Sequence, residues 1–168
     1  MDLSKKINGS LLRDAKKKFS YLECEELLEL LNEKLKQRNI QGTLSVGGGF
    51  VMAMIYDRPT TVDIDGVYSP KSVIDGIIEE IAKEKCIPKN WLNDAIGGYE
   101  SKTPEYEIHR KLSHLIVNKA SLEYMLAMKC RGARLKSDIP DISVLIKKQG
   151  IKSAEEVWSI FQKFSFIS

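Results

Sequence analysis

The sequence has few of the features that mark secreted, membrane or disulfide-bonded proteins. Its 168 residues include only three cysteines, Cys24, Cys86 and Cys130, and they form no Cys-x-x-Cys pair. A dispersed, odd number of cysteines is typical of reduced, buried thiols in a cytoplasm. No apolar run has the length of a signal peptide or a membrane span, so we expect a cytoplasmic protein with no membrane partner.

An excess of charge of one sign is also lacking. The 26 basic and 23 acidic side chains give a formal net charge of +3, which is too mild to predict nucleic-acid binding by itself. There is no internal repeat or low-complexity linker, and 43% of the residues are hydrophobic, as in a globular protein with a real core. We predict an α/β core with N-terminal helices over residues 1–120 and a helical part packed on it over residues 121–168.

Two common nucleotide-binding motifs are incomplete. The run Gly47, Gly48 and Gly49 lacks the third glycine of a dinucleotide fingerprint, because Met52 stands at that position. The helix predicted after these glycines is also too short for a Rossmann crossover. No Gly-Lys-Ser/Thr follows, which excludes a P-loop.

A pair of aspartates follows the glycines. Residues 44–68 predict a strand, a glycine turn, a short helix and a second strand over residues 60–67, in which Asp63 and Asp65 point to one face. Two adjacent carboxylates repel each other, and a hard divalent cation between them relieves the repulsion. Bare amides in the glycine turn can approach a phosphate. The alternatives are two solvated charges and a tight turn, but aspartate is depleted in strands, which favours a metal site.

These residues resemble a known superfamily. The nucleotidyltransferase (polymerase-β-like) signature resembles the run Val-Gly-Gly-Gly-Phe followed by Arg-Pro-Thr-Thr-Val-Asp-Ile-Asp. In its detailed residue pattern, this run resembles the bacterial branch that contains AbiEii-type toxins and similar small nucleotidyltransferase-like proteins. A second block over residues 124–142 is similar to a helix pair of that branch, with Lys…Ala-Arg-x-Lys-x-Asp-x-x-Asp. Trp-Leu-Asn-Asp lies between the blocks, and the resemblance covers residues 40–150.

The resemblance implies a fold and an activity. The fold is a small mixed sheet flanked by helices, with a C-terminal helical extension. The activity is transfer of a nucleoside monophosphate from an NTP to an acceptor, with Mg²⁺ or Mn²⁺ held by Asp63 and Asp65. The branch implies tRNA or a protein as acceptor and a cognate antitoxin as partner. The alternative is a catalytically silent binding or regulatory module, because residues 106–117 show no clear third carboxylate position.

The resemblance also implies a nucleotide-binding role for residues around the aspartates. These are the three glycines together with Arg58 and Thr61. Arg58 can hold a phosphate through two hydrogen bonds. It can equally pair with Asp57 or lie in solvent, and the sequence leaves these alternatives open.

The second block contributes a lysine and two acids. Lys129 lies on the apolar face of a helix predicted over residues 121–135, so it either snorkels or points into a site. The resemblance favours the site, where a lysine neutralises triphosphate charge. Asp138 is predicted to cap a helix over residues 139–149, and Asp141 lies in its first turn. The resemblance makes one of the two a functional acid, and the sequence does not decide which.

Local patterns predict the order helix, strand, helix, strand, helix, strand, strand and three helices. Ser20 with Glu23 predicts a capping box, and Ser69 before a proline predicts another helix start. Residues 86–98 are predicted to form a loop with one large anchor, a tryptophan. Trp158 is predicted to lie in the core.

Overall fold

The computed structural model describes residues 17–56, 60–98, 100–132 and 135–166. The helices are α1 (Tyr21–Gln37), α2 (Gly48–Ile55), α3 (Lys71–Lys85), α4 (Leu122–Arg131), α5 (Leu135–Lys148) and α6 (Ala154–Lys163). The strands are β1 (Gly42–Gly47), β2 (Ile64–Ser69), β3 (Leu92–Asn93), β4 (Tyr106–Lys111) and β5 (Leu115–Ala120). Within these described ranges, no helix has both the length and the apolar content that crossing a membrane requires.

The five strands form one mixed sheet in the order β3-β2-β1-β5-β4. Strand β1 lies antiparallel to β2 and parallel to β5. Strand β3 pairs parallel to β2 at one edge, and β4 pairs antiparallel to β5 at the other. A small mixed sheet flanked by helices, followed by the three helices α4 to α6, confirms the predicted α/β class. The division of the chain at residue 120 stays a prediction.

The first helix covers one face of the sheet. Its capping box is present as predicted, with the Glu23 amide donating to Ser20 Oγ and the Ser20 amide donating to the Glu23 carboxylate. A Cβ built on Gly42 of β1 would meet Leu35 of α1 and Ile74 of α3. Helices α1 and α3 therefore pack side by side on this face and bury the apolar side chains of β1.

The predicted loop before β4 contains regular structure. Strand β3 and a short 3-10 helix, Ala95–Gly98, both lie within it. Trp91 is completely buried, and its indole N–H donates to the carbonyl of Ile78 at 3.1 Å. The Ile64 amide donates to the carbonyl of Trp91 at 2.7 Å, which brings the segment alongside β2. A two-residue strand is too short to leave a period-two pattern, so the sequence did not predict it.

The second predicted strand begins later than expected. Strand β2 starts at Ile64 rather than at residue 60, so Asp63 lies just before the strand. Thr61 pairs instead with Phe19, through amide-to-carbonyl hydrogen bonds of 2.7 and 2.8 Å in the two directions. This segment therefore binds to the chain that precedes α1, a long-range contact that local propensity does not encode.

Two predicted helix caps are wrong. Ser69 ends β2 in register with Thr43, and Pro70 is the N-cap of α3. Helix α5 begins at Leu135, so Asp138 lies in its first turn and does not cap it. Pro140 falls inside this helix, where its missing N–H costs one backbone hydrogen bond near the N-terminus.

Two predictions of burial are also wrong. Trp158 is 59% exposed and stacks on Phe161, its neighbour three residues along α6, with ring centroids 5.6 Å apart. The two rings thus cover each other on the surface of the helix. Cys86 is exposed at the C-terminal end of α3, whereas Cys24 is buried as expected.

Candidate functional site

The glycine turn lies directly against one of the predicted metal ligands. Gly47, the last residue of β1, is paired in register with Asp65 on β2. Gly48 begins α2 with a φ of +60°, and a Cβ added to it would lie 2.4 Å from Asp65 Oδ2. Only a residue without a side chain fits this space and this backbone conformation. The carboxylate of Asp65 is therefore packed on the backbone of the turn.

The turn also begins a helix. Gly47 is the N-cap of α2 and offers no side chain to the first amides, which include that of Gly49. The first four N–H groups of an α-helix have no partner within the helix, and this end carries partial positive charge. The turn can therefore bind an anion such as a phosphate, beside the carboxylate of Asp65.

Asp63 is held by two polar side chains. It is half-buried immediately before β2. The Thr61 hydroxyl, in a residue that is 5% exposed, donates to the backbone carbonyl of Asp63 at 2.9 Å. The side-chain amide of Asn93 donates to Asp63 Oδ2 at 3.2 Å. Thr61 thus fixes the backbone of Asp63, and its predicted contact with a nucleotide stays a prediction.

The two carboxylates suit a hard divalent cation. Asp63 and Asp65 supply carboxylate oxygens, which are the ligands that Mg²⁺ and Mn²⁺ prefer. The described parts of the chain contain no group of three or more His, Cys, Asp or Glu side chains placed to hold a metal. Mg²⁺ is commonly bound by one or two carboxylates together with substrate phosphates. These residues fit a cation that shares its ligands with a bound phosphate.

The buried thiol of Cys24 feels the charge of Asp63. Burial, together with the nearby negative charges of Glu23, Glu25 and Asp63, raises the pKa of Cys24 to about 12. Near neutral pH this side chain is therefore an uncharged thiol, which is a poor metal ligand and a poor nucleophile.

The second block forms an ion-pair cluster between α4 and α5. Lys129 Nζ lies 2.8 Å from Asp138 Oδ1 and 2.9 Å from Asp141 Oδ2. The three side chains are only 15%, 7% and 4% exposed. Tyr56, just after α2, donates its hydroxyl hydrogen to Asp141 Oδ1 at 3.2 Å. Lys129 therefore joins the two helices, and its predicted contact with a triphosphate stays a prediction.

Helix α2 connects the glycine turn to this ion-pair cluster. It begins at Gly48, against Asp65, and ends at Ile55, next to the tyrosine that bonds to Asp141. Eight helical residues span about 12 Å at 1.5 Å per residue. Met128, the neighbour of the cluster's lysine, packs against the turn at Gly47. The glycine–aspartate motif and the lysine–aspartate motif of the sequence thus contact opposite ends of the same short helix.

One predicted site residue, Arg58, lies outside the residues that the structure describes. Two residues of the site were not predicted. Asn93 belongs to the Trp-Leu-Asn-Asp run between the two blocks, so the sequence contained a signal for it. Tyr56 had no such signal, because it ends an apolar stretch that predicts only a buried helix.

Comparison with known proteins gives one distant likeness. No protein-family model matches the chain, and no curated protein matches it. Among solved structures, the chain is similar to an antigenic nucleotidyltransferase-like protein from Paracoccidioides brasiliensis. The two share 16% sequence identity over 88% of this chain and 89% of that chain, with a TM-score of 0.42. A likeness this distant assigns the chain to no family.

Proposed function

We propose that the chain is a nucleotidyltransferase that binds an NTP with Mg²⁺ or Mn²⁺ and transfers the nucleoside monophosphate to an acceptor. The observation that carries this proposal is the contact between the Asp65 carboxylate and the bare backbone of Gly48. A metal-bound triphosphate needs a cation ligand and an anion-binding turn side by side. The sequence resemblance points to the same chemistry.

The residues around the glycine turn have separate roles in this proposal. Asp63 and Asp65 would hold the cation, and the amides that follow Gly47 would donate to phosphate oxygens. When bound, the cation neutralises the charge that develops on the leaving pyrophosphate. Thr61 holds the backbone of Asp63 in place.

The acceptor and the partner rest on the sequence resemblance. The AbiEii-like pattern supports tRNA or a protein as the acceptor, a cognate antitoxin as the partner and the bacterial cytoplasm as the setting. A net charge of +3 neither favours nor excludes RNA.

A catalytically silent binding module is the second candidate, and a specific observation favours it. Strand β5 lies next to β1, and its residues level with Ser45 and Val46 are Asn118 and Lys119. Neither is a carboxylate, so β5 adds no third acid at this level of the sheet. A silent module would bind Mg²⁺ and an NTP without transferring a nucleotide.

The first experiment compares the melting temperatures of the parent and Asp63→Asn, with and without Mg²⁺ and each of the four NTPs. Without metal, Asp63→Asn should be neutral or stabilising, because it removes one of two neighbouring like charges. It should lose most of the rise in melting temperature that Mg²⁺ with NTP gives the parent. Glu155→Gln, an exposed change on α6, is the matched control and should behave like the parent.

A transfer assay then separates the two candidates. The parent is incubated with one α-labelled NTP at a time, in the presence of total cellular RNA and total cellular protein as possible acceptors. Label on an acceptor, lost in Asp63→Asn, supports the enzyme, and a ligand-dependent melting temperature without transfer favours the silent module. A parent that does not respond to Mg²⁺, Mn²⁺ or any NTP contradicts the proposed site altogether.

A further inference from the structure

We propose that Asn93 is a positioning residue that holds the Asp63 carboxylate ready for a divalent cation, an inference that rests on the proposed function. The Asn93 side-chain amide donates to Asp63 Oδ2 at 3.2 Å. The contact engages one carboxylate oxygen before any ligand arrives.

The orientation of the Asn93 amide is set by its neighbours. Its Oδ1 accepts a hydrogen bond from the Ala95 amide at 3.0 Å, which only an acceptor can do. The NH₂ group therefore points the other way, where it meets Asp63 Oδ2 and the carbonyl of Asn90 at 3.4 Å. If the oxygen and nitrogen of the Asn93 amide were exchanged, its NH₂ group would face the Ala95 N–H. Its oxygen would then face the Asp63 carboxylate, and neither pair can form a hydrogen bond.

The strand that carries Asn93 is built onto the aspartate strand. Strand β3 is two residues long, and both of its ladder partners lie at the start of β2, with Asp65 in register with Asn93. Just before it, Trp91 is completely buried and accepts from the Ile64 amide at 2.7 Å. Asn93 is thus held on a fixed backbone at the level of the two acids.

The same segment also contacts the glycine turn. Ile96, in the 3-10 helix after β3, is 8% exposed. A Cβ built on Gly47 would lie 2.7 Å from Ile96 Cδ1, so this side chain fills the space that the glycine leaves. Residues 91–98 therefore brace both the acids and the turn, and Asn93 is the member of this segment that reaches a carboxylate.

The consequence concerns metal affinity. A side chain that orients a metal ligand restricts its motion before binding, and losing such a partner typically weakens metal binding by about 10- to 100-fold. A purely structural asparagine would instead affect the stability of the metal-free protein. These two roles can be measured separately.

The test measures Mn²⁺ binding, through the electron paramagnetic resonance signal of free Mn²⁺, for the parent, Asn93→Ala and Asn93→Ser. A serine hydroxyl at this position can still accept a hydrogen bond from the Ala95 amide, but the serine side chain is too short to reach Asp63. We expect both variants to bind Mn²⁺ at least about tenfold more weakly. Asn93→Ser should keep the metal-free melting temperature. Asn90→Ala changes an exposed asparagine just before this segment and should match the parent in both measurements.

Failure of the inference differs from failure of the proposed function. If Asn93→Ser binds Mn²⁺ as tightly as the parent, Asn93 does not position the carboxylate and the inference is overturned, while the metal site stands. If the parent binds no Mn²⁺ alone, the same variants are compared by the rise in melting temperature that Mn²⁺ with an NTP produces. A parent with neither response overturns the metal site, and the positioning role falls with it. If Asn93→Ala fails to fold, the serine variant decides between these outcomes.

Discussion

At the scale of single residues, Gly48 shows why a side chain must be absent from the turn. Its φ of +60° is a left-handed conformation, and Asp65 Oδ2 occupies the place of a Cβ. The sequence predicted a glycine turn, but three consecutive glycines do not reveal which of them needs the conformational freedom. That depends on the register between β1 and β2, which is a tertiary property.

Gly48→Ala should therefore destabilise the protein. The left-handed backbone alone costs about 1–2 kcal/mol for a residue with a side chain, and the displaced carboxylate adds to this cost. Gly76→Ala is the control, because Gly76 lies exposed within α3 and a Cβ there meets nothing within 4 Å. It should stabilise the protein by about 0.8–1 kcal/mol through helix propensity. Urea unfolding measures both changes, and a shift of the same sign in both would contradict this account of Gly48.

At the scale of elements, local signals predicted helices better than strands. The Ser20 cap forms as predicted, and Ser121 and Ser153 cap α4 and α6 in the same way, since a cap is a contact between residues three apart. The start of β2 was missed because Phe19 and Trp91 bind the chain there, and β3 was missed because it forms only by pairing with β2; in both cases the partner is distant in sequence. Short strands are specified by their partners more than by their own residues.

The ion-pair cluster between α4 and α5 makes a prediction at this scale. Lys129→Met leaves the buried carboxylates of Asp138 and Asp141 without the ammonium group that they share. Removing one partner of a buried ion pair typically costs about 3–5 kcal/mol, and we expect a loss of about 3 kcal/mol in the free energy of unfolding. Urea unfolding checks this value.

The control for Lys129→Met is Lys152→Met, at an exposed position between α5 and α6, which should change stability little. The double variant Lys129→Met, Asp138→Asn should recover part of the loss, because it also removes one of the two buried charges. A loss below about 1 kcal/mol in Lys129→Met would mean that the cluster contributes no more than a surface ion pair.

At the scale of the whole molecule, the sheet order could not be predicted from the sequence. Strands β1 and β5 are neighbours, yet the paired residues Ser45 and Asn118 are more than seventy positions apart. The motif predicted that Asp65 and the glycine turn belong to one site, because they are close in sequence. The hydrogen bond between Asn93 and Asp63 was not predicted, since it depends on the pairing of β2 with β3.

A polar cluster joins α1 to the edge strand β4. Glu25 Oε1 lies 2.7 Å from His109 Nε2, and Glu25 Oε2 accepts from Arg110 Nη1 at 2.7 Å. The pairing of β4 with β5 shifts register at this point, between Ile108 and Arg110. Such a bulge lets consecutive side chains turn toward the same neighbour, here the helix. The Glu25 carboxylate thus joins α1 to β4, and Arg110 also pairs with Glu29 one turn further along the same helix.

This cluster makes the stability of the molecule depend on pH. Burial opposes ionisation of Glu25, but hydrogen bonds from His109, Arg110 and Tyr21 outweigh it and lower the pKa of this carboxyl below its ordinary 4.5. As the pH falls, the unfolded chain therefore takes up a proton before the folded chain does. The stabilisation is fully present above the ordinary pKa and is lost as the pH falls through the folded value.

Glu25→Gln should consequently lower the free energy of unfolding by about 2 kcal/mol at neutral pH, the size of a hydrogen bond to a charged group. The difference from the parent should shrink steadily below about pH 4.5, because protonation removes the same charge from the parent. Urea unfolding of both proteins at a series of pH values tests this, with Glu26→Gln, at the next and exposed position on α1, as the control. Parallel curves for the parent and Glu25→Gln down to about pH 3 would show that the charge of Glu25 contributes nothing to holding α1 on the sheet.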